Sequence, residues 1–298
     1  MTSRSTSSPG RGLLHLAAAV DQPGVHDTGP YVELARLAER GGLDFVTLDD
    51  DTFARPGPGP DAPAVLSHVA PATHRVGLVP TFTAADAVAD LDRVSGGRAG
   101  WRIDASATEG SACAASSVEG RHPVRVVDVV EGPALSVAAR RADVALVRVA
   151  DRAQAGAVRD RLRSEAARSG RDPDSLRVLL SLLIDLGDGE HAAERGHGGG
   201  GPRQTAQGPL YRGGPVDLAD LIASWRQDGA ADGFHLIPVE PRRDLERLVN
   251  GTVALLQHRG LFRTFYPGST LREHLGLPRP VDRPAIRTVD FRTPPGPG

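Results

Sequence analysis

The 298-residue chain has the composition of a globular protein, with 40% hydrophobic and 24% charged residues, and a single barrel domain commonly takes this length. A formal net charge of -2 without any block of like charges argues against a nucleic acid or membrane surface recognised by charge. The single cysteine, Cys113, excludes an internal disulfide and indicates a reducing compartment.

The N-terminal residues predict a short flexible segment followed directly by the folded domain. Residues 1–12 are polar and rich in Ser, Gly and Arg, and the apolar run at 13–20 is too short to span a membrane. The sequence after this run, from Asp21 to Gly24, does not resemble a signal cleavage site. We therefore expect a cytoplasmic protein with no membrane partner.

Short apolar runs alternate with amphipathic segments along the chain, which is the pattern of βα units. Strands are predicted at 13–20, 44–48, 75–79, 99–103, 124–130, 144–149, 177–184 and 233–238. Helices are predicted at 31–40, in a short segment ending at Ala139, and at 154–169, 218–228 and 242–258. This alternation predicts one α/β domain over 13–277, a (β/α)8 TIM-type barrel, with an open doubly wound sheet as the alternative.

Two stretches interrupt the alternation and indicate shortened connections. Residues 106–122, where the fourth helix is due, are rich in Ser, Ala and Gly, and residues 188–214 form a predicted loop around four consecutive glycines. A loop of that length inside a domain is unusual. Residues 278–298 are rich in Pro and Arg, which predicts an extended tail.

Local motifs identify no chemistry by themselves. The glycines at 198–201 lack the Gly-Lys-Ser/Thr ending of a phosphate loop, and Cys113 has no neighbouring His to activate its thiol. The three acids at 49–51 stand after the second predicted strand, but adjacent side chains there point in different directions. The histidines are scattered, and no Gly-x-Ser-x-Gly elbow is present. We expect no metal site.

Several segments resemble the luciferase-like, reduced-flavin-dependent monooxygenases. Residues 23–46 resemble their opening βα unit, and residues 75–79 with 91–101 resemble the stretch from their third to fourth strand. Near the C-terminus, residues 229–236, 256–264 and 270–280 are similar to one subgroup. That subgroup contains nitrilotriacetate, pristinamycin and dibenzothiophene-sulfone monooxygenases. The resemblance covers most of residues 23–280.

The resemblance implies a two-component enzyme, in which a separate flavin reductase supplies reduced FMN for oxidation of a small organic substrate by O2. The flavin is expected at the C-terminal mouth of the barrel. Residue by residue, the implied cofactor contacts are Asp50 after strand two, Thr81 and Thr83 after strand three, and Ser106, which with Trp101 flanks the family's Gly-Trp-Asn-x-x-Thr-Ser stretch. The family's habit of pairing through barrel-side helices implies a homo- or heterodimer through residues 31–40 and 84–94. No catalytic residue is assigned.

The chain also departs from the family pattern, and it is shorter than typical subgroup members. Arg102 stands in place of the family's Asn and Ala105 in place of its Thr, and the helix that carries a His and a Tyr after strand four is missing. Residues 127–131 replace the loop that holds the FMN phosphate, so Asp128 and Glu131 are expected to face the phosphate with like charge. Two hypotheses follow: an FMN-dependent monooxygenase, or a non-catalytic homologue with a decayed flavin site that acts as a partner subunit or binding protein.

Overall fold

The structure is a computed structural model that describes residues 14–22, 24–25, 27–49, 61–81, 85–103, 122–129, 133–187 and 201–278. Eight parallel strands form its centre: β1 (His15–Ala19), β2 (Phe45–Leu48), β3 (Gly77–Pro80), β4 (Gly100–Ile103), β5 (Val124–Val129), β6 (Val144–Val147), β7 (Arg177–Asp185) and β10 (Gly233–Pro238). All eight predicted strands are therefore present, within a few residues of their predicted ends.

These strands pair in the order β3-β2-β1-β10-β7-β6-β5-β4. Two isolated parallel bridges, Leu78 with Ala99 and Thr81 with Arg102, join the two outer strands and nearly close the sheet. We call this contact the β3–β4 seam. The predicted (β/α)8 TIM-type barrel is thus confirmed, and the open-sheet alternative is wrong.

Helices surround the barrel. They are α1 (Gly29–Arg40), α2 (Ala62–Val69), α3 (Ala85–Ser95), α4 (Pro133–Arg141), α5 (Arg152–Arg168), α6 (Pro215–Gln227), α7 (Pro241–Arg247), α8 (Ala254–His258) and α9 (Leu271–His274). A π-helical turn, Leu248–Val253, joins α7 to α8, where the sequence predicted one continuous helix. Among these helices, α2 and α9 were not predicted; the N-cap of α2 is Asp61, whose side chain accepts a hydrogen bond from the Ala64 N–H at 3.1 Å.

The predicted loop at 188–214 contains a β-hairpin, which corrects the sequence-based expectation for its second half. Strands β8 (Arg203–Thr205) and β9 (Gly208–Arg212) are antiparallel, and β9 also pairs in parallel with the end of β7. Gly208 has a φ of +125°, a conformation that favours glycine. The hairpin therefore extends the sheet beyond the C-terminal end of β7. Residues 188–200, and the predicted lack of a helix over 106–121, lie outside the described residues.

The C-terminal segment covers the N-terminal end of the barrel. Leu271, Leu275 and Leu277 belong to the same buried cluster as the lumen side chains of the strands, and the Leu271 N–H donates to the Gly97 carbonyl at 3.2 Å. A Cβ at Gly77 would come within 2.7 Å of Leu271. The opposite end, where the strands finish, is left as the mouth. No helix in the described ranges is long and apolar enough to cross a membrane.

Glycine at the contact between β1 and β10 is required by packing. A Cβ added at Gly233 would lie 2.1 Å from the His15 carbonyl oxygen. We expect Gly233→Ala to lower the free energy of unfolding by about 1–3 kcal/mol or more, since overpacking next to backbone cannot relax by a rotamer change. The measurement is chemical denaturation.

The matched control is Gly156→Ala on α5, where an added Cβ meets nothing within 4 Å. This change should raise stability by about 0.5–1 kcal/mol, because alanine loses less entropy than glycine in a helix. Equal effects of the two substitutions would contradict the packing of β1 against β10.

Candidate functional site

The C-terminal ends of the barrel strands bring five charged side chains together, and β/α barrels place their active sites at this end. They are Asp21 after β1, Asp49 after β2, Arg102 in β4, Asp128 in β5 and Arg148 after β6. We call this group the mouth network. Its members come from five strands, so it forms only when the barrel closes.

Arg102 is the centre of the mouth network. Its guanidinium donates to Asp49 Oδ2 at 2.7 Å and to both carboxylate oxygens of Asp128 at 2.5 and 3.0 Å. Burial works against the charged form of Arg102, but Asp128 and Asp49 more than offset it and raise the pKa of the guanidinium. Arg148 Nη2 also lies 3.4 Å from Asp128 Oδ1. Arg102 therefore remains a cation, held in a bidentate pair with Asp128.

Asp21 adds a carboxyl group that titrates near neutral pH. Its Oδ1 accepts a hydrogen bond from the Asp49 N–H at 2.7 Å. Burial raises the pKa of Asp21 from 3.8 to about 7, with a further contribution from the Asp49 carboxylate. When Asp21 holds its proton, the anions Asp49 and Asp128 are balanced by the cations Arg102 and Arg148.

His235 lies in the lumen between β2 and β7. Its Nε2 is 2.9 Å from Thr47 Oγ1 and its Nδ1 is 3.0 Å from Ser181 Oγ. Complete burial lowers the pKa of His235 well below its ordinary value, and the positive charges of Arg102 and Arg148 lower it further. The ring is therefore neutral and stacks against Phe45 at a centroid distance of 6.5 Å. Since Thr47 precedes Asp49 by two residues on the same strand, this hydrogen-bonded group lies one layer below the mouth network.

Two grooves open at the mouth, one on each side of the turn between β8 and β9. The β5–β6 groove has a volume of about 860 Å³ and is lined by Val129, Leu135, Val147, Arg148, Val149, Gln154, Val158 and Arg161, among others. The β1–β10 groove, about 900 Å³, is lined by Gln22, Val25, Val239, Glu240, Pro241, Arg242, Arg243, Glu246 and Arg247. Gln207 in the hairpin turn lines both. Both volumes lie in the range of small-molecule sites.

Of the four cofactor contacts predicted from the sequence, the structure describes Thr81. Its N–H donates to the Leu48 carbonyl at 2.9 Å, and its backbone forms the bridge to Arg102. The Thr81 hydroxyl is buried and has no hydrogen-bond partner among the residues that the structure describes. Asp50, Thr83 and Ser106 lie outside the described residues.

The structure adds counter-charges to one expectation. Asp128 was expected to face a bound phosphate with like charge, and its carboxylate is paired with Arg102 and Arg148. Arg102, one of these two partners, stands where the resemblance implies an asparagine. The second acid of that expectation, Glu131, lies outside the described residues.

Sequence reasoning missed several mouth residues that the structure brings together. Asp21 and Gln22 follow β1, and Arg148 follows β6, so each stands just past a strand that was predicted. Polar residues immediately after barrel strands are site candidates on topology alone, and that signal could have identified these three. Arg161 and Arg247 lie on α5 and α7, where no local pattern distinguishes them from surface arginines.

Comparisons with known proteins agree with this architecture. The profile of the family described as luciferase-like monooxygenase matches residues 13–109 and 114–264. N-acetyl-S-(2-succino)cysteine monooxygenase of Bacillus subtilis (strain 168) is 33% identical over 133 residues, which are 45% of this chain and 26% of that protein. Nitrilotriacetate monooxygenase component A of Aminobacter aminovorans is 48% identical over 68 residues, which are 23% of this chain and 15% of that protein.

Among solved structures, the EDTA monooxygenase from Chelativorans sp. BNC1 superimposes with a TM-score of 0.73 at 19% identity, covering 90% of this chain and 99% of that chain. This likeness concerns the fold. The matches to the two curated relatives span only 26% and 15% of the lengths of those proteins.

The raised pKa of Asp21 predicts a pH-dependent stability. An acid whose pKa is raised on folding binds more protons in the native state, so the free energy of unfolding falls as pH rises from 3.8 to about 7. We expect Asp21→Asn to remove this component. The variant should match the wild type near pH 4 and exceed it by up to about 4 kcal/mol at pH 8. Urea denaturation across this pH range tests it, and a constant difference at all pH values would contradict it.

The pairing of Arg102 predicts a large effect of its loss. Arg102→Met leaves Asp49 and Asp128 without the guanidinium and should destabilise the protein by about 3–5 kcal/mol. Adding Asp128→Asn should restore part of that loss. The control is Arg93→Met, because Arg93 pairs with Asp90 on the surface, and it should change stability by less than about 1 kcal/mol. Thermal and urea unfolding measure both; similar effects at the two arginines would contradict the assignment.

Proposed function

Since the chain belongs to the luciferase-like monooxygenase family, we propose that it is a two-component monooxygenase that uses reduced FMN to oxidise a small organic substrate with O2. The observation that carries the proposal is the buried, unpartnered hydroxyl of Thr81 at the end of β3. The family resemblance implies a flavin contact at this residue. The curated relatives named above, all monooxygenases, support the same reaction class.

Thr81 provides the test of whether the mouth suits a cofactor. A buried hydroxyl without a partner is unfavourable by about 1–3 kcal/mol, and it persists in native proteins mostly where a ligand or water satisfies it. The Thr81 backbone is fixed by its hydrogen bond to Leu48 and its bridge to Arg102. The hydroxyl is therefore available to a polar edge of a ring bound at the mouth.

The β5–β6 groove suits the phosphate end of the same cofactor. Arg161 supplies positive charge beside Asp151, and Leu135 and Val149 supply apolar wall. Small-molecule sites combine such walls with a few polar groups. Asp128 does not oppose an anion there, because Arg102 and Arg148 neutralise its carboxylate.

Reduced FMN, when bound, would supply the activation of O2 for transfer to the substrate. The residues of this chain would bind the flavin, exclude water on its barrel side, and hold or release a proton at Asp21. The mouth network forms a charge-balanced floor. Asp21 can hold a proton at Oδ2, since Oδ1 accepts the Asp49 N–H, and a pKa of about 7 suits a group that gives and takes a proton at neutral pH.

We extend the proposal to the partners of the protein. The nitrilotriacetate relative is named as one component of its monooxygenase, which supports a second component here, and for that component we propose a flavin reductase. We also propose a homo- or heterodimer through α1 and α3. The exposed side chain of Val94, 54% accessible at the end of α3, supports burial of this helix against another protomer.

The proposal predicts FMN binding that depends on the Thr81 hydroxyl. In a flavin fluorescence titration under reducing and oxidising conditions, we expect wild-type Kd values in the micromolar range, which corresponds to a binding free energy of about -8 kcal/mol. Thr81→Val should weaken binding by about three- to tenfold, whereas Thr81→Ser, which keeps the hydroxyl, should not. Neither change should lower stability, because no protein hydrogen bond is lost.

Turnover is the second part of the same test. With an added flavin reductase and NADH, the wild type should consume O2 in the presence of a substrate. If neither oxidised nor reduced FMN binds at tens of micromolar protein, the monooxygenase proposal fails. The non-catalytic homologue then remains.

A further inference from the structure

The β1–β10 groove lies on the opposite side of the hairpin turn from the β5–β6 groove, and the proposed function leaves it without a ligand. It is bounded by Gln22 after β1, Val239 after β10 and the arginines of α7. These elements follow the first and eighth strands of the barrel, and Gln207 of the hairpin that follows the seventh strand also lines the groove. Beta/alpha barrels often bind anionic groups beyond strands seven and eight. The position is therefore suited to an anionic ligand.

Two of the three arginines in the groove are already neutralised. Arg242 lies 3.0 Å from Glu33 and 3.2 Å from Glu246. Arg243 lies 2.7 Å from Asp185. Arg242 is shared between two carboxylates, so these pairs leave no positive charge for a ligand, and the carboxylate of Glu246, which lines the same groove, is balanced only in part.

Arg247 differs from its neighbours. Its Nη1 donates to the Leu186 carbonyl at 3.3 Å, and no carboxylate of the described chain lies within 4.0 Å of its guanidinium. The side chain is partly buried, so its charge is screened less than that of a fully exposed arginine. Arg247 thus brings an unbalanced cation with free N–H donors to the groove.

Gln22 supplies a second unsatisfied donor. Its Nε2 is buried and finds no hydrogen-bond partner within the described ranges, while its backbone carbonyl accepts hydrogen bonds from the Val25 N–H at 3.1 Å and the Tyr31 hydroxyl at 3.3 Å. The backbone is therefore held in place while the amide is unused. A buried donor of this kind is satisfied when a ligand brings an acceptor to it.

We propose that the β1–β10 groove binds a carboxylate group of the substrate through Arg247 and the amide of Gln22. This inference rests on the proposed function, because the ligand is a substrate only if the protein is a monooxygenase. The substrate class it names is a small organic acid. Arginine donors match the two oxygens of a planar carboxylate. The apolar side chains of Val25, Val239 and Pro241 offer contact to a short hydrocarbon. Glu240 is exposed at the edge of the groove, where water screens its charge.

The experiment is a calorimetric titration of the full-length protein with glutarate, using neutral glutaramide and inorganic phosphate as comparison probes. We expect glutarate to bind and glutaramide to bind at least about tenfold more weakly, because charge-assisted hydrogen bonds are the stronger ones. Arg247→Gln should weaken glutarate binding by about tenfold or more, and Gln22→Met by about three- to tenfold. The matched control is Arg242→Gln, on the same helix, which should change binding by less than about twofold because that arginine is already paired.

Three outcomes would overturn the inference. They are equal binding of glutarate and glutaramide, equal losses in Arg247→Gln and Arg242→Gln, and stronger binding of phosphate than of glutarate at the same residues. The Gln22→Met result decides the case if Arg247→Gln does not fold.

A parallel FMN titration of the wild type and Arg247→Gln separates this inference from the proposed function. We expect FMN affinity to be the same in both. Arg247-dependent glutarate binding without FMN binding would remove the monooxygenase proposal and leave the carboxylate site. FMN binding without glutarate binding at millimolar concentration would remove the carboxylate site and leave the monooxygenase proposal.

Discussion

The pairing of Arg102 with Asp49 and Asp128 is the interaction on which the mouth of this barrel depends. The strand order ends at β3 and β4, which meet only through the two isolated bridges of the described β3–β4 seam. Arg102 on β4 reaches past that seam to Asp49 at the end of β2 and holds Asp128 on β5. A buried guanidinium requires such partners, since an unpaired buried charge is strongly unfavourable. The ion pairs and the closure of the barrel therefore require each other.

The same pairing sets the chemistry that the mouth can support. Without Arg102, two carboxylates would face each other and any anionic ligand near them. With it, the charges of Asp49 and Asp128 are balanced, and the unsatisfied groups left at the mouth are polar donors and acceptors such as the Thr81 hydroxyl and the Gln22 amide. Arg102, at the position where the resemblance implies an asparagine, is thus paired with an acid at 128. The paired charges line the bottom of the site, and because the carboxylate of Asp128 is paired, its charge does not by itself disfavour phosphate binding.

The hairpin of β8 and β9 divides the mouth into two grooves of similar size. On one side, Arg148 and Arg161 stand beside apolar wall residues; on the other, Arg247 stands beside Gln22. The hairpin is attached to the end of β7 through strand pairing, so its turn is held above the barrel. A cofactor and a substrate could then occupy neighbouring grooves, with Gln207 next to both.

The sequence by itself determined the strands and the order of βα units, because buried parallel strands are short apolar runs whose identity does not depend on distant partners. It also identified the family segments near both ends and Thr81 as a mouth residue. Tertiary structure alone decided which charges meet. One partner of Asp128 is Arg102, which only the pairing of β4 with β5 brings close. Arg247 differs from other surface arginines only because Arg242 and Arg243 pair with the nearby carboxylates. The hairpin within 201–214 was also missed, because its strands are stabilised by pairing with β7 and not by an apolar pattern of their own. Charge pairing and strand addition join residues that are far apart in the sequence, so a local sequence pattern does not predict them.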